Sequence, residues 1–244
     1  MNGEELRLQR RLQKAWDAAR SSARRIHQGF DVKPARSEQV FQTTPGTRPN
    51  SIDVTIKPVV FSVPERGDGN KQIYIAMDGR ISFSFDRGEA SSPNPLTQDF
   101  GTRVGYFRVK GDELVHVYGA HYDVDEQSPG HPIFHHQMSN MADMRKVVTD
   151  AFGLRVPNFK DLVQPILRNV RTPTAQMDGF SVLAQICADH LVHRGSTEDE
   201  LSSFRALLRH CNAYRGIGHR VPFLNSGDAP VCFRSLHWYG EMTR

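Results

Sequence analysis

Two neighbouring runs hold most of the chemistry-bearing residues of this chain. They are His116-Val117-Tyr118-Gly119-Ala120-His121-Tyr122-Asp123-Val124 and His131-Pro132-Ile133-Phe134-His135-His136-Gln137, and together they carry five of the 11 histidines. Both runs are rich in β-branched and aromatic residues, so they read as strands joined across residues 125–130. Antiparallel pairing would put residues of even offset on one face, so His121 and Asp123 share a side with either His135 or His136. Phe134 and Met138 fall on the same side as His136 and are the natural core contacts, which makes His135 the expected partner. Two imidazoles and a carboxylate on adjacent strands suit a divalent metal, because rigid neighbours fix nitrogen and oxygen donors at constant spacing. The same three groups would serve general acid–base catalysis without a metal, since imidazole titrates near neutrality. Cross-strand His and Tyr pairs on a solvated face explain the same residue types with no ligand at all. His121, Asp123 and His135 are thus the candidate catalytic residues and the candidate ligands of any bound divalent metal.

Other reactive patterns are thin. The chain has no GxxxxGK[ST] loop, GxGxxG turn, GxSxG elbow or HExxH helix, and Gly216-Ile217-Gly218 is too short to cradle a phosphate. Cys187, Cys211 and Cys232 are odd in number and widely spaced, which excludes a disulfide framework or zinc ribbon and fits a reducing cytoplasm. Cys187 and Cys211 fall on inward helix positions and read as packing groups. The ending Cys232-Phe233-Arg234-Ser235-Leu236-His237-Trp238-Tyr239 is dense in aromatics and reads as a sheet-completing strand or a docking segment.

The elements that would position these residues follow from hydrophobic period. Leu8, Leu12, Trp16, Ala19, Ala23 and Ile26 recur at three- and four-residue steps, so residues 4–28 read as one amphipathic helix. Residues 31–50, with Pro34, Pro45, Gly46 and Pro49, read as a linker. From Ser51 the period switches to two. Ile52 to Ile56, Val59 to Val63, Ile73 to Met77, Ile81 to Phe85, Val104 to Val109, Leu114 to Val124 and Pro132 to Met138 read as strands. Asp78-Gly79 and Gly111-Asp112 are the expected hairpin turns. Residues 86–102 are expected as a long loop. Helical spacing returns at Met141 to Phe152, at Phe159 to Val170 around Pro165, at Thr174 to Arg194, and after the capping box Thr197-Glu198-Asp199-Glu200. The expected fold is α+β: an antiparallel meander packed on a C-terminal group of helices. Its parts are a basic helix over 1–30, a linker over 31–50 and a domain over 51–244, with strands to about 138, helices to about 214 and a final strand at 231–239.

Charge separates the parts further. The chain has 31 Lys and Arg against 27 Asp and Glu, a net +4. Residues 1–28 alone hold seven cations against three carboxylates, so the whole surplus resides there. No run of about 18 apolar residues spans a membrane and no secretory leader is visible, so the expected partners exclude a membrane. Two functions are compatible with these features. In the first, the chain is a cytoplasmic accessory subunit docking through the helix, with Leu8, Leu12 and Trp16 as anchors and Arg7, Arg10 and Arg11 steering a protein partner or nucleic-acid phosphates. In the second, it is a hydrolase-type enzyme, with or without a divalent metal, built on His121, Asp123 and His135. The absence of familiar catalytic motifs tips the sequence towards the first.

Overall fold

The computed structural model describes residues 3–35, 39–65, 68–85, 95–124, 132, 134–165, 167, 170–212 and 214. The fold is α+β, one mainly antiparallel sheet with helices on both faces. Helix α1 (Gly3–Ile26) has Glu4 and Glu5 in its first turn and Arg24 and Arg25 in its last, each charge opposing the local pole of the helix dipole. Strands β1 (Asp31–Pro34) and β2 (Phe41–Pro45) follow, then the long strands β3 (Ser51–Glu65), β4 (Asp68–Ser84), β5 (Leu96–Lys110) and β6 (Glu113–Val124). After β7 (Phe134–Met138) come α2 (Arg145–Phe152), the short strands β8 (Asn158–Asp161) and β9 (Arg171–Pro173), α3 (Gly179–His190) and α4 (Glu198–Cys211). The sheet runs β1-β3-β4-β5-β6-β7-β9. Strand β2 pairs with the first half of β3, beside β1 on its second half, and β8 pairs parallel to the start of β6.

Alternation decides which residues meet the helices. In β3, Ile52, Val54 and Ile56 point to the helical side, and a bulge at Lys57-Pro58 shifts the phase so that Val59, Phe61 and Val63 keep facing it. Proline is tolerated there because a bulge leaves a ladder position unpaired. Helices α1, α3 and α4 cover this face. Their central knot is aromatic: Trp16 lies 5.9 Å from Phe41, 6.2 Å from Phe61 and 5.9 Å from Phe180, centroid to centroid. The opposite face has a smaller core in which Met141, Met144 and Val148 cover Val60, Ala76, Phe107 and Leu114.

Several expectations are corrected by this arrangement. Residues 31–50 are not a linker, because two of their segments are strands hydrogen-bonded to β3. Leu8, Leu12 and Trp16 are buried in the main core, Leu12 and Trp16 almost completely, so the stripe expected to dock on a partner is already occupied. Asp78-Gly79 is not a turn but the middle of β4; Gly79 is there because a Cβ would run into the Gly101 carbonyl of β5. The turn after β5 is the expected one, with Gly111 at φ 62°. Residues 96–102 of the loop expected at 86–102 are the start of β5. The helix expected over Phe159 to Val170 begins instead as strand β8, bound edge-on to β6; of its expected apolar face Val163 is buried, whereas Leu162, Leu167 and Val170 are exposed. The helix expected at 174–194 starts later, at Gly179, where the Asp178 side chain accepts from the Phe180 and Ser181 amides. The capping box opening α4 is present, with Thr197 and Glu200 bonded reciprocally. The strand expected at 231–239, with Arg234 and His237, lies outside the described residues.

Candidate functional site

Pairing of β6 with β7 sets Asp123 opposite His135 and His121 opposite Gln137. His121, Asp123 and His135 therefore share the sheet face turned away from α1, α3 and α4. His136 is opposite Tyr122 on the other face, its ring 6.0 Å from the Tyr122 ring, so it is not part of the cluster. One potential ligand atom from each of His121, Asp123 and His135 lies within 4.8 Å of the others. His135 Nε2 is 2.9 Å from Asp123 Oδ1, and His121 Nε2 is 3.8 Å from Asp123 Oδ2. Donors about 2.0 Å from a tetrahedral zinc stand roughly 3.3 Å apart, so these separations need only small side-chain adjustments to close on an ion. His135 is buried, whereas His121 and Asp123 reach solvent, so the cluster has a rigid inner donor and an accessible outer side.

A groove of about 510 Å³ opens beside the cluster. His121 and Asp123 stand at one end, Thr55 and Pro58 at the other, and Gly101 leaves the floor between Arg80 and Asp123 without a side chain. Arg103 crosses the groove in a two-pronged contact with Asp78, at 2.8 and 2.6 Å, and reaches Asp143 at 3.0 Å. These carboxylates hold its guanidinium charge even more firmly than usual, the Asp78 hydrogen bonds contributing most. Arg80 pairs with Asp99 at 2.8 Å. Along the groove, Asp78 and Asp123 stand with Arg80 and Arg103, two carboxylates with two guanidinium groups.

Burial lowers the pKa of His121, and the neighbouring His135 and Arg171 act in the same direction against the opposing pull of Asp123. His136 is lowered by burial as well. Both rings are thus neutral at pH 7, the form that ligates a metal or accepts a proton. The unfolded chain protonates these rings at a higher pH than the folded chain, so stability rises with pH between the two values. The melting temperature is expected to hold above the ordinary imidazole value of 6.5 and to fall as the pH drops through it, levelling only below the depressed folded values. Scanning calorimetry from about pH 8 to pH 5, with His121→Gln and His136→Gln flattening the slope, checks this. A melting temperature that rises on acidification contradicts it.

Two features escape sequence reasoning. Ser139 Oγ lies 2.6 Å from His121 Nδ1, a contact made by the chain folding back over the sheet after β7. His116 is fully buried, stacked on Phe107, with Nδ1 3.0 Å from Asp161 Oδ1; Asp161 also accepts from Asn140 Nδ2. A bulge at Val117 brings His116 onto the face of His121, where it ties β8 to β6. Neither contact has a local spacing signature. Cys187 and Cys211 are free thiols; burial pushes both up, Cys211 to about 12, so neither is a nucleophile near neutrality. No helix among the described residues is long and apolar enough to cross a membrane. Compared with known proteins, the chain matches no family, no curated protein and no solved structure.

Proposed function

We propose that this chain is a metal-dependent hydrolase-type enzyme whose centre is His121, Asp123 and His135. The observation that carries this reading is the convergence of the three donors, two of which, His121 and Asp123, line an open groove. Two imidazoles and one carboxylate are the donor set of zinc or iron(II). Three protein ligands leave at least one position for water, the arrangement of catalytic rather than structural sites. An ion there would lower the pKa of that water and supply a hydroxide at neutral pH, with the groove receiving the substrate. Metal analysis of protein purified without chelator tests the reading: about one equivalent of a divalent ion is expected, displaced by dipicolinate. Metal-free protein that fails to take up zinc, manganese or iron on dialysis refutes it. The odd number and wide spacing of Cys187, Cys211 and Cys232 suit a cytoplasmic setting.

A second reading survives from the basic helix in altered form. With the apolar stripe buried, the docking surface becomes the opposite ridge. Arg7, Arg10 and Lys14 are exposed there and make no ion pair among the described residues. A depression of about 460 Å³ lined by Gln9, Gln13 and Gln39 runs beside Arg10 and Lys14. Under this reading the ridge holds nucleic-acid phosphates as an accessory contact. Anisotropy with a short labelled duplex is expected to give a log–log salt slope of about −2.7, since each of three neutralised phosphates contributes about −0.9. Arg7→Glu/Arg10→Glu/Lys14→Glu is expected to remove binding. Absence of binding at low salt, or binding that the triple variant retains, ends this reading.

A further inference from the structure

The groups around the metal-site histidines include one that no ligand set requires. Ser139 follows β7 and turns back across the sheet, where its amide donates to the Gly119 carbonyl at 2.8 Å. This crossing needs the bare surface of a glycine pair. Gly105 and Gly119 are direct partners in the β5–β6 ladder. A Cβ on Gly119 would penetrate the Ser139 carbonyl oxygen, and one on Gly105 would come 2.8 Å from Met141 Cβ. The chain therefore lies directly on the backbone of the sheet, two residue pairs along the ladder from His121. That placement puts Ser139 Oγ at 2.6 Å from His121 Nδ1. The hydroxyl has one proton to give, and the Gln137 carbonyl stands 3.5 Å from it as an acceptor. On the other side of the ring, Asp123 Oδ2 is 3.8 Å from Nε2, beyond hydrogen-bond reach.

We propose that Ser139 is a positioning residue: it accepts from His121 Nδ1–H, fixes that tautomer and leaves the Nε2 lone pair aimed at Asp123 and His135. The inference rests on the metal reading of the site, because a histidine ligates with one ring nitrogen while a partner on the other sets its tautomer and angle. Ser139 thereby completes the donor set from outside it. Gly119 and Gly105 act one step further back, by giving Ser139 room to reach the ring. A hydroxyl that instead donated to Nδ1 would put the proton on Nε2 and block ligation there.

Two readouts on the full chain separate this inference from the metal reading. The first is the His121 tautomer in metal-free protein at about pH 8, where imidazoles are neutral, read from long-range proton–nitrogen correlations. The wild type is expected to show Nδ1–H alone, and Ser139→Ala a mixture of both forms. The second is zinc affinity by competition with a chromophoric chelator. Ser139→Ala is expected to weaken it about 10- to 100-fold, and Ser139→Thr, which keeps the hydroxyl, to stay within about threefold of wild type. An Nε2–H ring in the wild type, or a Ser139→Ala ring identical to it, overturns the role of Ser139. So does unchanged zinc affinity in Ser139→Ala, and in that case the metal reading stands. Wild-type protein that binds no zinc overturns the metal reading, while the tautomer still decides for or against Ser139.

Discussion

Trp16→Ala is expected to cost about 3–5 kcal/mol of stability, the range for truncating a buried aromatic. Trp16 is 1% exposed and touches the rings of Phe41, Phe61 and Phe180, which belong to β2, β3 and α3. Its removal leaves a void shared by helix and sheet that no single element can close, so little relaxation offsets the loss. In a chain of this size the melting temperature is expected to drop by roughly 10 °C, at about 2–4 °C per kcal/mol. Arg10→Ala, on the exposed side of the same helix, is expected to stay within about 0.5 kcal/mol of wild type. Urea titrations of both variants compare them directly. A Trp16→Ala protein as stable as wild type would mean that α1 is a detachable arm, as the linker-like composition of 31–50 had implied.

The other large effect is expected at Asp123. Asp123→Asn keeps the shape of the side chain and removes the only charged donor of the three. Divalent-ion affinity is expected to fall more than about 100-fold, since outer partners of metal ligands alone are worth 10- to 100-fold. His121→Ala is expected to do the same, and because His121 is partly exposed its melting temperature should stay near that of wild type. His135→Ala differs. His135 is 2% exposed against Asp123, so its loss is expected to lower stability and ion binding together. Calorimetric zinc titrations on the three variants, each paired with a melting curve, test the pattern. Undiminished affinity in Asp123→Asn would remove the carboxylate from the site.

The histidine cluster was legible because its evidence is short-ranged and periodic. Residues 121, 123 and 135 need only the two-residue period of strands and one register, and the apolar parity of Phe134 and Met138 sets that register. Ser139 was not legible, because its approach depends on two glycines in other strands and on a chain crossing that leaves no local pattern. Asp78-Gly79 misled for a related reason. A glycine demanded by a neighbouring backbone looks the same in sequence as one demanded by a turn. In α1 the periodicity marked the apolar stripe correctly, but amphipathicity cannot tell whether the buried partner is the same chain or another. The strands at 31–34 and 41–45 hid behind prolines and threonines because each is a short edge segment, where a missing amide donor costs little.

The burial of α1 also has a consequence for biosynthesis. The helix is made before nearly everything it packs against: Phe180 and Leu207, which cover its stripe, lie 164 and more residues downstream of Trp16. At about 5–20 residues per second, the stripe waits roughly 10–30 s for Phe180 and the helices that complete its cover, with only the early strands to meet before then. An exposed row of Leu8, Leu12 and Trp16 beside a cluster of arginines is the kind of segment that a nascent-chain chaperone shields. The nascent protein thus passes through a stage in which the apolar stripe of α1 is only partly covered.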